Sequence, residues 1–94
     1  MKNMPTPTYR PIHEIVQEIR KDWRKDGKPN IYFGAVPYLD AMSTLTHITD
    51  TYGADDAKYR IVYFLSNATS WRGDVAKRIK AELNAMIKGK PVKV

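Results

Sequence analysis

Apolar residues recur at helical spacing in four stretches of the chain, separated by short polar breaks that contain glycine or proline. Ile12, Ile15, Val16, Ile19 and Trp23 form the first stripe, while Glu14, Gln17, Glu18, Lys21 and Lys25 fill the other faces. Pro11 suits the first turn of a helix, where its missing N–H costs nothing. Asp26-Gly27-Lys28-Pro29-Asn30 supplies a glycine stop followed by a proline.

A second helical segment is predicted over 31–49, with Ala35, Tyr38, Leu39, Met42, Leu45 and Ile48 on one face. Pro37 would cost about 3 kcal/mol deep inside a helix, so the regular part should begin close to Val36. Asp40 then lies near the positive end of the helix dipole, and 30–35 forms a separate helical turn or an irregular link. Residues 50–55 read as a loop.

The third segment, 56–67, is the ambiguous one. Tyr59, Ile61, Val62, Tyr63, Phe64 and Leu65 are strand formers by propensity, but no other stretch offers them a strand partner. Asp55 and Asp56 precede the segment as a helix N-terminus favours, so it reads as the most buried helix, apolar nearly all round. Thr69 or Ser70 is expected to cap a fourth helix running to about residue 88, ended by Gly89 and Pro91. Stepping about 100° per residue from Val75, Ile79, Leu83 and Met86 share a face with Trp71, and Lys77, Ala81, Asn84 and Lys88 lie opposite.

The expected fold is therefore all-α, a small four-helix bundle in a single domain. A loose leader covers 1–10, the helical domain 11–88 and a basic tail 89–94. The expected core is Ile15, Ile19, Trp23, Leu39, Met42, Leu45, Ile61, Leu65, Trp71, Val75, Ile79 and Leu83. The chain of 94 residues has no cysteine, so this core is expected to rest on apolar packing alone, which fits a reducing compartment. The first eleven residues lack the apolar region of a signal peptide, and no run approaches a membrane span. The expectation is a cytoplasmic protein with no membrane contact, in which Asn67-Ala68-Thr69 matches the glycosylation sequon by chance.

Charge changes this picture by its distribution. The net +6 divides into +3 over 1–30, −4 over 31–57 and +7 over 58–94. A folded bundle would pair much of this internally and leave a basic surface over. Lys77, Arg78, Lys80 and Lys88 of the last helix are the expected contact residues for nucleic acid or a protein partner, against the alternative of a merely solvated face. The link 68–70 between the last two helices also admits a helix-turn-helix reading.

Arg72 has two readings. The wheel places it about 60° from Val75, toward the core and at a helix end that disfavours cations, so it needs an anion. One reading is a structural ion pair with Asp40, Asp50, Asp55 or Asp56; the other is an anchor for a phosphate or a partner's carboxylate, with Trp71 packed beside it. Among the aromatics, Tyr32, Phe33 and Tyr52 would form a protein-binding patch if exposed together.

Catalytic chemistry finds no constellation. His13 and His47 lack a second ligand at metal-binding spacing, Asp55-Asp56 lacks a calcium loop, and no serine or threonine has a base nearby in sequence. No catalytic residue, metal site or cofactor is expected, an enzyme is the least favoured class, and oligomeric state is left open. Pro37-Tyr38-Leu39-Asp40-Ala41-Met42, Tyr63-Phe64-Leu65-Ser66-Asn67-Ala68 and Trp71-Arg72-Gly73 resemble a group of small proteins carried by prophages and conjugative elements of Gram-positive bacteria. The similarity runs from 12 to 86. It implies a mobile-element accessory role and no activity, and carries over no functional residue. The leading expectation is an accessory protein that binds nucleic acid or a protein partner through its basic last helix; the alternative is a modulator of a protein partner in host defence or transfer.

Overall fold

The first apolar stripe forms α1, Ile12–Asp22, which buries Ile12, Ile15, Val16 and Ile19. No side chain caps its start; instead the Ile12 and His13 amides donate to the backbone carbonyls of Thr46 and Leu45, at 3.0 and 2.9 Å. The computed structural model describes residues 9–49, 51–52 and 55–90, and the side chains of 56 and of the others outside 51–55 among them. Its element order continues with β1 (Arg24–Lys25), β2 (Lys28–Pro29), a 3₁₀ turn (Phe33–Ala35), α2 (Val36–Met42), β3 (Thr51–Tyr52), β4 (Asp55–Asp56), α3 (Ala57–Ser66) and α4 (Asp74–Lys88). α1 packs on α2, α2 on α3, α3 on α4, and α4 back on α1, which closes a four-helix bundle. The expected all-α bundle is thus the observed fold, with two minimal ribbons added.

Gly27 does not cap α1. The helix ends at Trp23, whose side chain is buried, and the chain folds back as an antiparallel ribbon pairing Arg24 with Pro29 and Lys25 with Lys28. Asp26 at φ 53° and Gly27 at φ 77° make the two-residue turn, a backbone pair that Asp-Gly adopts readily. A second ribbon pairs Thr51 with Asp56 and Tyr52 with Asp55, where a loop was expected.

Helix α2 begins at Val36, with Pro37 in its first turn, as the proline argument requires. It stops seven residues later, well short of residue 49. Ser43 Oγ and Thr44 Oγ1 donate to the carbonyls of Asp40 and Ala41, and these short hydroxyls compete with helix continuation. The chain then leaves the helix axis, buries Leu45 and delivers the carbonyls that cap α1.

The segment rich in strand formers is helical, as α3. It is not the most buried helix, however, because only Ala57, Ile61 and Phe64 are buried while Tyr59, Val62 and Tyr63 are exposed. Expected core residues Leu65 and Val75 are only partly buried. Neither Thr69 nor Ser70 caps α4: its N-cap is Gly73, at φ 112° and ψ −179°, and the first helical bond runs from Lys77 N to Gly73 O. Residues 67–73 form an irregular link, too long for the tight helix-turn-helix reading. At the other end Gly89 adopts the left-handed conformation and caps α4 as expected. The leader up to residue 8 and the tail from 91 lie outside the described residues.

Candidate functional site

Because α4 starts at Asp74, Trp71 and Arg72 precede the helix and the wheel does not apply to them. Trp71 is buried all the same. Its ring stacks on Trp23 at 5.6 Å between centroids and 15° between planes, and Phe64 meets both rings edge-on. Its Nε1 donates to Asp22 Oδ2 at 2.9 Å, tying the link to the end of α1. Arg72 faces solvent, and among the described residues no carboxylate lies within ion-pair distance of it. Of the carboxylates expected to pair with it, Asp40 accepts from Arg20 at 2.7 Å and Asp56 makes no ion pair with Arg72, while Asp50 and the side chain of Asp55 lie outside the described residues.

The basic residues of α4 differ in their surroundings. Lys80 Nζ donates to the carbonyls of Ala68 and Trp71, at 2.8 and 2.6 Å, and lies 5.8 Å from the Trp71 ring centroid. It locks the 67–73 link to α4 and belongs to the architecture. Burial first, and then the positive charge of Arg72, hold its pKa below the ordinary 10.5. Arg78 is engaged with Glu18 of α1. Lys77 and Lys88 are exposed but eleven residues apart on the helix, about 16 Å along its axis. What remains near the start of α4 is an open depression of about 460 Å³ lined by Arg72, Gly73, Asp74, Lys77 and Lys80.

A second charged group was not foreseen. Glu82 is buried on α4 and receives both Arg10 Nε and Nη2, at 2.8 and 2.7 Å, while Arg10 Nη1 reaches Glu18 at 2.9 Å. The hydrogen bond from Arg10 to Glu82, helped by Glu18 and opposed by burial, raises the arginine's pKa further. Burial pushes Glu18 upward, but its hydrogen bonds from Arg10 and Arg78 prevail and hold the carboxyl below its ordinary 4.5. The wheel contains the missed signal: Glu82 falls about 20° from Val75, on the face that turns inward. Beside this network a wide depression of about 880 Å³ runs along α1, lined by both signs of charge, with Arg10, Glu18 and Arg20 already paired. Among the described residues no group of three His, Cys, Asp or Glu could hold a metal ion, and no helix is long and apolar enough to cross a membrane.

The third region is aromatic. Stepping from Ala57, the buried residues of α3 lie within about 40° of one direction, and Tyr59, Val62, Tyr63 and Ser66 fall between about 140° and 240°. The middle of the solvent side of α3 is therefore aromatic, with Lys58 and Arg60 at its two flanks. Tyr63 contacts Tyr38 of α2 with centroids 5.5 Å apart. One turn further, Asn67 borders Gly34: a Cβ there would sit 2.9 Å from Asn67 Oδ1 and 2.5 Å from the Tyr32 ring. Tyr32 contacts Phe33 at 4.9 Å, so the patch continues from α3 onto the 3₁₀ turn. Phe33 is 79% exposed, Tyr59 51%, Tyr63 46% and Tyr32 45%. Tyr32 and Phe33 are exposed together as the patch hypothesis requires; the side chain of Tyr52 lies outside the described residues. Tyr59, Val62 and Tyr63 are further patch members, on the helix that the sequence marks as the most buried.

No family model, curated protein or solved structure matches this chain. The likeness to prophage and conjugative-element proteins thus stands on the three short strings alone.

Proposed function

We propose that this chain is a non-enzymatic binding domain that engages a protein through the aromatic side of α3 and the adjoining 3₁₀ turn. One observation carries the reading: α3 is apolar on both sides, yet the bundle covers only one. A helix apolar all round is ordinarily enclosed, and exposed apolar patches of several hundred Å² mark interaction surfaces. Apart from Tyr59, which sits between Lys58 and Arg60, the patch lies in stretches 31–39 and 61–71, which contain no charged residue, and tyrosine hydroxyls supply hydrogen bonds at its rim. The resemblance to mobile-element proteins implies an accessory role as the setting.

The test is recovery of a stoichiometric protein from nuclease-treated cells by wild-type chain and by a Val62→Lys/Tyr63→Lys variant. A partner held by wild type and by Lys77→Ala, but lost by the patch variant, supports the reading. Equal recovery by wild type and patch variant removes it.

A second reading rests on the Arg72–Lys77 depression. These two exposed cations and the start of α4 would contact the backbone of a nucleic acid, independent of its sequence. Arg72→Ala with Lys77→Ala should then weaken binding to mixed DNA and RNA and flatten its salt dependence. No binding by wild type at about 50 mM salt, where phosphate contacts are strongest, ends this reading.

A further inference from the structure

We infer that the occupant of the aromatic face is a second copy of this chain, joined about a twofold axis that passes midway between Val62 and Tyr63 of α3. The inference rests on the binding reading above and specifies its partner. Three features of the molecule converge on it.

The first is charge. Each copy carries a net +6, so two copies repel wherever cations would face each other. The face of Tyr59, Val62, Tyr63 and Ser66, continued by Tyr38, Tyr32 and Phe33, brings no charge into the contact. Lys58 and Arg60 flank this face on α3, so a contact centred on it keeps the cations of both copies at the rim.

The second is shape. Residues 59, 62, 63 and 66 follow the spacing by which paired helices interlock. With two α3 helices antiparallel about the stated axis, Tyr59 of each copy lies over Ser66 of the other, and Val62 opposes Tyr63. A ring meets the smallest side chain of the stripe twice, by symmetry. Phe33 and Tyr32, next to Asn67 at the end of α3, then flank the ring of the incoming Tyr59.

The third is area. At roughly 200 Å² for a fully exposed aromatic side chain, the exposures of Tyr32, Phe33, Tyr59 and Tyr63 leave about 450 Å² of open ring surface. Val36 and Val62, each more than a third exposed, and the partly buried Tyr38 add to it. A standard interface buries about 800 Å² per partner, so this core with a rim of ordinary polar surface reaches that size.

The chain lacks cysteine, which allows a sharp test. Residues 59 and 66 lie about 10 Å apart along one helix, beyond the reach of a disulfide within the chain. About the proposed axis, two copies of residue 59, or two of residue 66, are equally far apart, whereas 59 of one copy faces 66 of the other. Tyr59→Cys/Ser66→Cys should therefore form a covalent dimer under mild oxidation at least tenfold faster than either single variant. Sedimentation equilibrium of the wild-type chain up to about 1 mM should show a species of twice the 10.8 kDa chain mass, with an unfolding midpoint that rises with concentration. Tyr59→Lys, at an exposed position, should return the mass to one chain with the fold intact by circular dichroism.

A wild-type monomer over that whole range overturns the inference, as does a dimer unaffected by Tyr59→Lys. If a monomer still retains a different protein through the patch, only the identity of the occupant fails. If neither a copy nor another protein is retained, the binding reading fails with it.

Discussion

Helix α4 and the outer side of α3 present opposite kinds of surface, and their fates in the fold are reversed. On α4 the basic residues look free in sequence, but Arg78 is drawn onto Glu18 and Lys80 onto the carbonyls of Ala68 and Trp71. On α3 the apolar residues look destined for the interior, but Tyr59, Val62 and Tyr63 remain outside. A group's character therefore says less about binding than whether its own chain already satisfies it. Arg10, Arg20, Arg78 and Lys80 find acceptors nearby, because carbonyls and carboxylates that the fold brings close need donors. Surplus apolar surface finds no such sink once a small core is full.

The widest contrast should come from two aromatic truncations. Trp71→Ala removes a buried ring from the Trp23–Phe64 cluster and a hydrogen bond to Asp22, and should cost about 3–5 kcal/mol in urea denaturation. Phe33→Ala, measured at a concentration too low for association, should change monomer stability by no more than about 0.5 kcal/mol. Comparable losses would break the distinction between enclosed and uncovered aromatics.

Next in size is Arg10→Ala. It strands the Glu82 carboxylate in the interior and should cost about 2–3 kcal/mol, with Glu82→Gln recovering part of the loss in the double variant. Lys80→Met keeps the aliphatic stem and removes the donor to two carbonyls, for an expected cost of about 1–2 kcal/mol by the same denaturation assay. Unchanged stability after Lys80→Met would return this lysine to the pool of free surface cations.

The smallest effect concerns acid. Glu18 titrates below 4.5 when folded, so it adds stability that is fully present above about pH 4.5 and is lost as pH falls through the lower folded value. Wild type should lose slightly more stability than Glu18→Gln between pH 6 and pH 3, a difference below about 1 kcal/mol for so open a pair. An equal loss in both proteins would show that the Arg10–Glu18–Arg78 link contributes nothing.

Most of the bundle was legible in sequence where periodicity and a chain-breaking residue agreed: α1 behind Pro11, α2 from Val36 and the stop at Gly89. Predictions failed where a local conformation competes with the helix. Asp26-Gly27 makes a ribbon turn, Ser43 and Thr44 bond back to carbonyls, and Gly73 breaks the chain after Trp71. The candidate site was legible only in part. Tyr32 and Phe33 were identified as a potential patch, but no periodicity can tell which side of a uniformly apolar helix the core will leave uncovered. Arg72 was misplaced because the wheel was extended through Gly73 into a segment that is not helical.

The backbone cap on α1 bears on the order of folding. Its leading amides are satisfied by carbonyls some thirty residues away along the chain, in the segment that buries Leu45. The first turn of α1 thus matures only when α2 and its exit loop have docked, which couples two early parts of the chain into one cooperative unit. An excised peptide spanning 9–30 should fray at its beginning and retain helix toward Asp22, and in the intact protein the Ile12 and His13 amides should exchange with solvent in step with those of α2.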